Sequence, residues 1–492
     1  MPKKPLSSLG LTATRGGDVA VTGLSLDSRK TLPGELFAAL PGSQVHGAAF
    51  LAMALERGAS AVLTDAEGAE LASDALAENG TALIIAEEPR AALARAAALW
   101  YGRQPENVVA VTGTNGKTSI AAFTRQLWAQ LGYEAANIGT IGVEGAFSAP
   151  GIHTTPDPLT LHKLMADMSE AAITHVAMEA SSHGLDQRRM DGVHLKAAAF
   201  SNLSQDHLDY HGTMEAYLAA KMRLFDELLP EDGVAVVNLD DKAGAEVAEM
   251  VRRRGIALLG VAEYAAGADL RITGRRLDET GQDLLFEFQE KPFQARLQLI
   301  GGFQALNALQ AAGLAVAAGA PSDGVFGALP HLKGVRGRMQ LAARRKFGAP
   351  VFVDYSHTPA SLEIALKALR PHVLGRLHVV FGAGGDRDRT KRPLMGKAAA
   401  GNADEIIVTD DNPRSETPWE IRAEVLQGCP GATEIPDRAE AILRAVDALK
   451  PGDALLIAGK GHETGQIVGD VTYPFDDVEQ ASLAVAALEG AV

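Results

Sequence analysis

The stretch "VVAVTGTNGKTS" at residues 108–119 has the parts of a phosphate-binding loop at an unusual spacing. The common nucleotide loop places four residues between its first glycine and the Gly-Lys-Thr run, whereas here that position is Val111 and the nearest upstream glycine is Gly113. The apolar run "NVVAVTG" predicts a strand, and Ile120, Phe123, Leu127 and Leu131 recur after it at helical spacing. The loop thus joins a strand to a helix whose N-terminus faces the glycines. Gly116, Lys117, Thr118 and Ser119 offer backbone N–H groups to phosphate oxygens, an ammonium to the β- and γ-phosphates and a hydroxyl to Mg²⁺. A tight turn at a strand–helix junction accounts for Gly113, Thr114, Asn115 and Gly116 equally well. It does not call for Lys-Thr at the helix start, so nucleotide binding is the better reading.

Working outward, "THVAMEA", "LKAAAFSN" and "GVAVVNLD" read as further buried strands ending in polar residues, where open α/β sheets hold their ligands. Upstream, "ELFAAL", "ASAVLTD" and "TALIIAE" alternate with Ala-rich helical stretches. Downstream, residues 268–300 alternate like a hairpin, and an Ala-rich helix starts at Phe303. Past "HLKGVRGRMQ", the runs "APVFVDY", "RLHVVFG", "DEIIVTD" and "DALLIAG" predict a second parallel sheet. The expected architecture is α/β in three domains, residues 1–98, 99–335 and 336–492.

A chain of 492 residues exceeds one core, and 47% hydrophobic with 22% charged residues marks it as globular. Acidic residues number 61 against 46 basic, a net charge of -15 that argues against a nucleic-acid partner. The opening "MPKKPLSSLGLTATRGGD" lacks the apolar run of a signal peptide, and no segment approaches a membrane span. A lone cysteine, Cys429, excludes an internal disulfide and any cysteine-based zinc cluster, so the expected location is cytoplasmic.

Phosphoryl transfer assisted by a metal needs anionic or imidazole ligands near the γ-phosphate. Glu179 in "MEASSHGLDQRR" and Asp206, His207, Asp209 and His211 in "SQDHLDYHG" supply them at strand ends, although any one alone reads as a solvated loop residue. Lys221 in "EAYLAAKMRLF" reads from its own surroundings as a surface lysine on an amphipathic helix. "GAGGDRDRTKRP" lacks the third glycine of a dinucleotide fingerprint. Its Arg387, Arg389, Lys391 and Arg392, with Arg414 of "DDNPRSETP", instead predict a local pocket for a carboxylate or phosphate, against the alternative of a solvated basic face.

The motifs "GTNGKTS", "TTPDP", "MEASSHGL", "DHLDYHG", "AAKMRLF", "GRMQ", "VDYSHTP", "GGDRDRTKRP", "DNPR" and "GKGHE" occur in the order found in the Mur ligases, and the resemblance runs over residues 24–465. It implies an ATP-dependent amide-forming ligase of peptidoglycan precursor synthesis, with a UDP-binding first domain, a central ATPase domain and a Rossmann-like third domain. The short phosphate loop is that family's own form. The branch most similar adds meso-diaminopimelate to UDP-N-acetylmuramoyl-L-alanyl-D-glutamate through an acyl phosphate. The alternative acceptor is L-lysine, whose side chain has no distal carboxylate for Arg414 to meet. Folylpolyglutamate synthase shares the loop but lacks the UDP domain, and a nucleotide-dependent binding module would show no turnover.

By the same resemblance ATP lies on Gly113, Thr114, Asn115, Gly116, Lys117, Thr118 and Ser119, with Asn307, Arg338 and Asp354 as further contacts. Thr118, Glu179 and His207 serve Mg²⁺, and Lys221 is carbamylated to ligate a second ion. Lys117, Lys221, His207 and Glu179 are the implied catalytic residues. The UDP-dipeptide falls to Leu26, Ser28, Ser43, Gln44, Val45, Thr154, Thr155, Ser181, Gln187 and Arg189. The incoming amino acid falls to Arg387, Asp411, Asn412, Pro413, Arg414, Gly459 and Glu463. A monomer without membrane or nucleic-acid partners is expected.

Overall fold

The strand that leads into the phosphate loop, Asn107–Thr112, is buried from its second residue onward, because an unbroken apolar run with neighbours on both sides has no face left for solvent. It is central to a sheet in a computed structural model that describes residues 3–42, 45–77, 80–151 and 153–490. The chain gathers into two compact units, Met1–Asp269 with Gln310–Val325, and Leu270–Leu309 with Phe326–Val492.

The first unit holds two main sheets. Strands Leu24–Ser25, Leu36–Ala38, Ala61–Thr64 and Ala82–Ile85 pair in parallel in chain order. Leu36, Leu63 and Ile84 pack against Leu93 and Ala96 of the helix Pro89–Tyr101, which starts on a proline and stops at left-handed Gly102. The second sheet runs, from its edge, Ala149–Pro150, Gly142–Gly145, Ala135–Gly139, His175–Glu179, Asn107–Thr112, Leu195–Phe200, Val234–Asn238 and Ala257–Ala262. The last six are parallel; the two at the edge are antiparallel. Chain order reverses at Asn107–Thr112, since the next strands go to one side and Leu195–Phe200 to the other. Such a switch opens a crevice over the strands' carboxyl ends. The helix Lys117–Gln130 follows, with Ile120, Phe123 and Leu127 on its buried face as their spacing predicts.

In the second unit, Leu270–Asp278, Gly281–Phe288 and Lys291–Leu297 form an antiparallel meander. A separate sheet runs Gln340–Arg344, Pro350–Asp354, Ala454–Ala458, Leu377–Phe381, Glu405–Val408 and Thr433–Glu434, parallel except for its first strand. Phe352, Phe381 and Leu456 face Leu362, Leu366, Met395 and Val425. Val351, Val353 and Ile457 point the other way onto Ile442, Val446 and Ala481. Helices thus cover both faces, the doubly wound arrangement expected of alternating strand and helix. Among the described residues no helix is long and apolar enough to cross a membrane.

Candidate active site

Gly113 (φ 141°) and Gly116 (φ 89°) both take conformations that L side chains rarely adopt. A Cβ on Gly113 would lie 2.0 Å from Ser201 Oγ, so the loop approaches the end of Leu195–Phe200 as closely as glycine allows. The loop is tied there: Thr114 N–H donates to Asn202 O (2.8 Å), Asn115 N–H to Asn202 Oδ1 (3.0 Å) and Ser201 Oγ to Asn115 O (2.6 Å). Lys117 Nζ folds back to donate to Gly113 O (2.9 Å) and Thr114 O (2.8 Å), which holds its charge over the helix N-terminus. Ser201 and Asn202 escaped the sequence reading, although the polar end of "LKAAAFSN" was their signal.

Glu179 ends the neighbouring strand and is buried. Its carboxylate accepts from Thr118 Oγ1 (3.1 Å) and from Thr140 N–H (2.9 Å), while its carbonyl accepts from Thr155 Oγ1 (2.8 Å). Thr140 carries no motif and was not foreseen. Two hard oxygen donors, Thr118 Oγ1 and Glu179, therefore meet at the mouth of the loop, the donor type Mg²⁺ prefers. Among the described residues no three His, Cys, Asp or Glu side chains converge on one cation position. The expected cluster of Glu179, Asp206, His207, Asp209 and His211 is thus not a self-sufficient metal cage.

The surface reading of Lys221 is overturned: the side chain is 1% exposed. Tyr217, Lys221, Leu224 and Phe225 share the buried stripe of one helical stretch, a spacing that was visible in the sequence. Its Nζ donates to Gly113 O (2.7 Å) and lies 4.3 Å from the Tyr217 ring centroid. Burial first, and the charge of Lys117 second, pull its pKa well below the ordinary lysine value. His207, at φ 52°, is exposed next to Asp206, and its ring stands 4.9 Å from that of His183. Partial desolvation lowers the pKa of His207 against the opposing charge of Asp206, with Lys117 and Lys221 adding to the effect, and burial lowers that of His183 to about 4.

Thr154, Thr155, Ser181, Gln187 and Arg189 come together beside Glu179. Thr154 Oγ1 meets Thr140 Oγ1 (3.0 Å), Ser181 Oγ donates to Thr155 Oγ1 (3.0 Å), and Arg189 donates to Thr155 O (2.7 Å) and Gln187 Oε1 (2.8 Å). In the four-stranded sheet's neighbourhood, Leu26 is half-buried and Ser28 Oγ reaches Met53 Sδ (3.6 Å). Val45 is exposed; Ser43 and Gln44 lie outside the described residues.

In the second unit, Asp354 Oδ2 accepts from Met339 N–H (2.6 Å) and the Arg338 guanidinium lies 4.6 Å over the Tyr355 ring. Asn307 is buried and donates to Gln304 Oε1 (3.0 Å). The basic cluster is corrected in part. Arg392 is fully buried between Glu416 (2.7 Å) and Glu424 (2.8 Å), and Arg389 also pairs with Glu424, so both are structural. Lys391 Nζ donates to His357 O (3.1 Å), while Arg387 is exposed. Arg414, at φ 51°, donates to Gly385 O (2.8 Å), one loop from Arg387. Asn412 Nδ2 donates to Glu463 Oε2 (2.9 Å), and buried Lys460, unforeseen although it stands in "GKGHE", bonds Asn412 Oδ1 (3.1 Å). Gly459, at φ 116°, leaves room for the Asp411 carboxylate, which a Cβ there would meet at 2.5 Å. Pro413 is buried as well. A cavity of about 270 Å³ lined by Arg376, His378, Glu405 and Asp453 lies at the opposite, amino ends of these strands, and no predicted site residue lines it.

Family models match along the chain: "Mur ligase family, catalytic domain" over residues 20–101, "Mur ligase middle domain" over 111–315 and "Mur ligase, glutamate ligase domain" over 337–461. A protein of Rhizobium meliloti named UDP-N-acetylmuramoyl-L-alanyl-D-glutamate--2,6-diaminopimelate ligase is 49% identical over 97% of each chain. One of Bradyrhizobium diazoefficiens with the same name is 50% identical over 95% of each. A solved structure of an enzyme so named superposes with a TM-score of 0.72 at 34% identity, covering 99% of this chain and 100% of that one.

Proposed function

The chain belongs to the Mur ligase family and is an ATP-dependent amide-forming ligase, and from that premise we propose that it adds meso-2,6-diaminopimelate to UDP-N-acetylmuramoyl-L-alanyl-D-glutamate. The functional domains are residues 1–98 for UDP, 99–335 for ATP and 336–492 for the amino acid. A carboxylate has no adequate leaving group, so an oxygen of the D-glutamate γ-carboxylate first attacks the γ-phosphorus of ATP and ADP departs. The amine then attacks the acyl carbon, phosphate leaves, and an amide remains.

Each group has a role that suits its surroundings. Lys117, held over the loop by two carbonyls, stabilises charge developing on the transferring phosphoryl group. Thr118 and Glu179, with His207 at the rim, would hold Mg²⁺, which would supply positive charge to offset that of the phosphates. Lys221 as a cation would oppose that ion. Its lowered pKa favours the neutral amine, the form that adds carbon dioxide and becomes an anionic carbamate. Thr154, Thr155, Ser181, Gln187 and Arg189 orient the dipeptide. The cytoplasm suits the consumption of ATP and a single buried thiol.

The observation that carries the choice of amino acid is the constellation of Arg414, Asn412, Asp411 and Glu463: a guanidinium for a distal carboxylate and acceptors for a distal ammonium. Lysine would leave that guanidinium unpaired, and sites built around such partners reject analogues lacking them by on the order of 10⁴-fold. The test is ADP release with the UDP-dipeptide and either diaminopimelate or lysine, side by side. Diaminopimelate should support turnover and lysine should not, and Arg414→Ala should lose the first without gaining the second. Equal use of lysine would refute the amino-acid assignment.

A further inference from the structure

Beyond the last residue matched by the family models, the chain folds a short hairpin, Gly465–Val468 with Val471–Pro474, whose strands pair from Gly465↔Pro474 to Val468↔Val471. The hairpin is bonded to the loop that carries Asp411, Asn412 and Arg414. Gln466 Nε2 donates to Asp411 O (2.7 Å) and Ile467 N–H donates to Asn412 Oδ1 (2.9 Å). Arg414 N–H donates to Ile467 O (3.0 Å), and Gly469 N–H donates back to Arg414 O (2.7 Å).

Two consequences follow from these four bonds. Asn412 Oδ1 already accepts from Ile467 and from Lys460, so its amide has one orientation, and Nδ2 must face Glu463. Arg414 sits at φ 51°, a left-handed conformation that a non-glycine residue keeps only where its neighbours impose it. The hairpin grips both its N–H and its carbonyl, and so directs the guanidinium toward Gly385 O.

Resting on the amino-acid assignment above, we propose that the hairpin 465–474 is a positioning element for the incoming amino acid, and that Gln466 is its specificity-determining side chain. Gln466 touches no reacting atom. It fixes the carbonyl of Asp411, and through that peptide the direction of Asn412 and Arg414.

The test uses the full chain with Gln466→Ala and Gln466→Glu, the second keeping the shape but losing the N–H donor. Both should raise KM for diaminopimelate about tenfold, the loss expected when one part-buried hydrogen bond is left unmade. The value of kcat, the KM values for ATP and the UDP-dipeptide, and Tm should stay within twofold or within a few degrees of wild type. Gln466→Lys, which restores a donor on a long side chain, should recover most of the loss. An unchanged KM for diaminopimelate in the first two variants overturns the proposal, as does a parallel rise of all three KM values with a fall in Tm. Failure of the wild-type chain to use diaminopimelate is a separate result and removes the amino-acid assignment itself.

Discussion

A lysine buried as deeply as Lys221 lowers its free energy by losing its proton or by gaining a counter-charge, and here burial and the charge of Lys117 outweigh the opposing charge of Asp206, so the first prevails. On the role proposed above, the neutral amine adds carbon dioxide and releases a proton, which would make the residue an anion at the mouth of the phosphate loop. Lys221→Ala should therefore lose at least about a hundredfold in kcat, the scale of removing one preorganised electrostatic group. Added acetate or formate should restore part of it by occupying the carbamate's place; ADP release measured against carboxylate concentration checks this. The sign with pH follows from the lowered pKa: as pH falls through it, the amine protonates, no carbamate forms, and activity of the wild type is lost. Most of the residues around this position were legible as motifs, but the direction of the lysine was not. A charged side chain is read as exposed by default, and only the buried stripe of Tyr217, Leu224 and Phe225 around it says otherwise. Thr140 illustrates the opposite limit, since its bond to Glu179 spans 39 positions and leaves no local pattern.

Most of the longer parallel strands were legible because a run of apolar residues with no polar alternation has no other stable placement. The strands Ala135–Gly139 and Gly142–Gly145 were not, since Ala, Asn and Gly carry little strand signal and tertiary pairing alone makes them strands. The helix Pro158–Glu170 was passed over too, and it carries a buried histidine with a measurable consequence. His162 Nε2 faces Asp191 O (3.1 Å), and its Nδ1 has no hydrogen-bond partner. Burial holds its pKa down at about 4, against 6.5 for the free side chain. Between those values the unfolded chain binds a proton that the folded chain refuses, so stability falls as pH drops from about 6.5 to 4, by at most about 3 kcal/mol. Thermal unfolding across that range should show a shallower decline for His162→Phe than for wild type, and an unchanged slope would place the titration elsewhere.

Over the whole molecule, three sheets and their order along the chain could be read from the alternation of strands and helices, whereas the connections that lock one segment to a distant one could not. The buried pair of Arg438 and Asp477 is such a lock: Nε and Nη2 of the arginine donate to the two carboxylate oxygens at 2.7 and 2.8 Å, and Nη2 also reaches Ala458 O at 3.0 Å. Asp477→Asn should cost roughly 3–5 kcal/mol by stranding a buried guanidinium, seen as a lower denaturant midpoint. A Met and Leu pair at the two positions should recover much of that stability, because the desolvation of both charges is then avoided. The hairpin at residues 465–474 has a consequence of another kind. Its bonds run backward along the chain, to residues that leave the ribosome earlier. The phosphate loop and its partners at 179, 201, 202 and 221 all emerge before it, so a nascent chain acquires the means to hold a nucleotide well before it can choose an amino acid. A message cut short after Asp354 but before Gln466 would yield a polypeptide that contains the nucleotide-holding residues and lacks the hairpin, and discrimination is thus among the last properties synthesis confers.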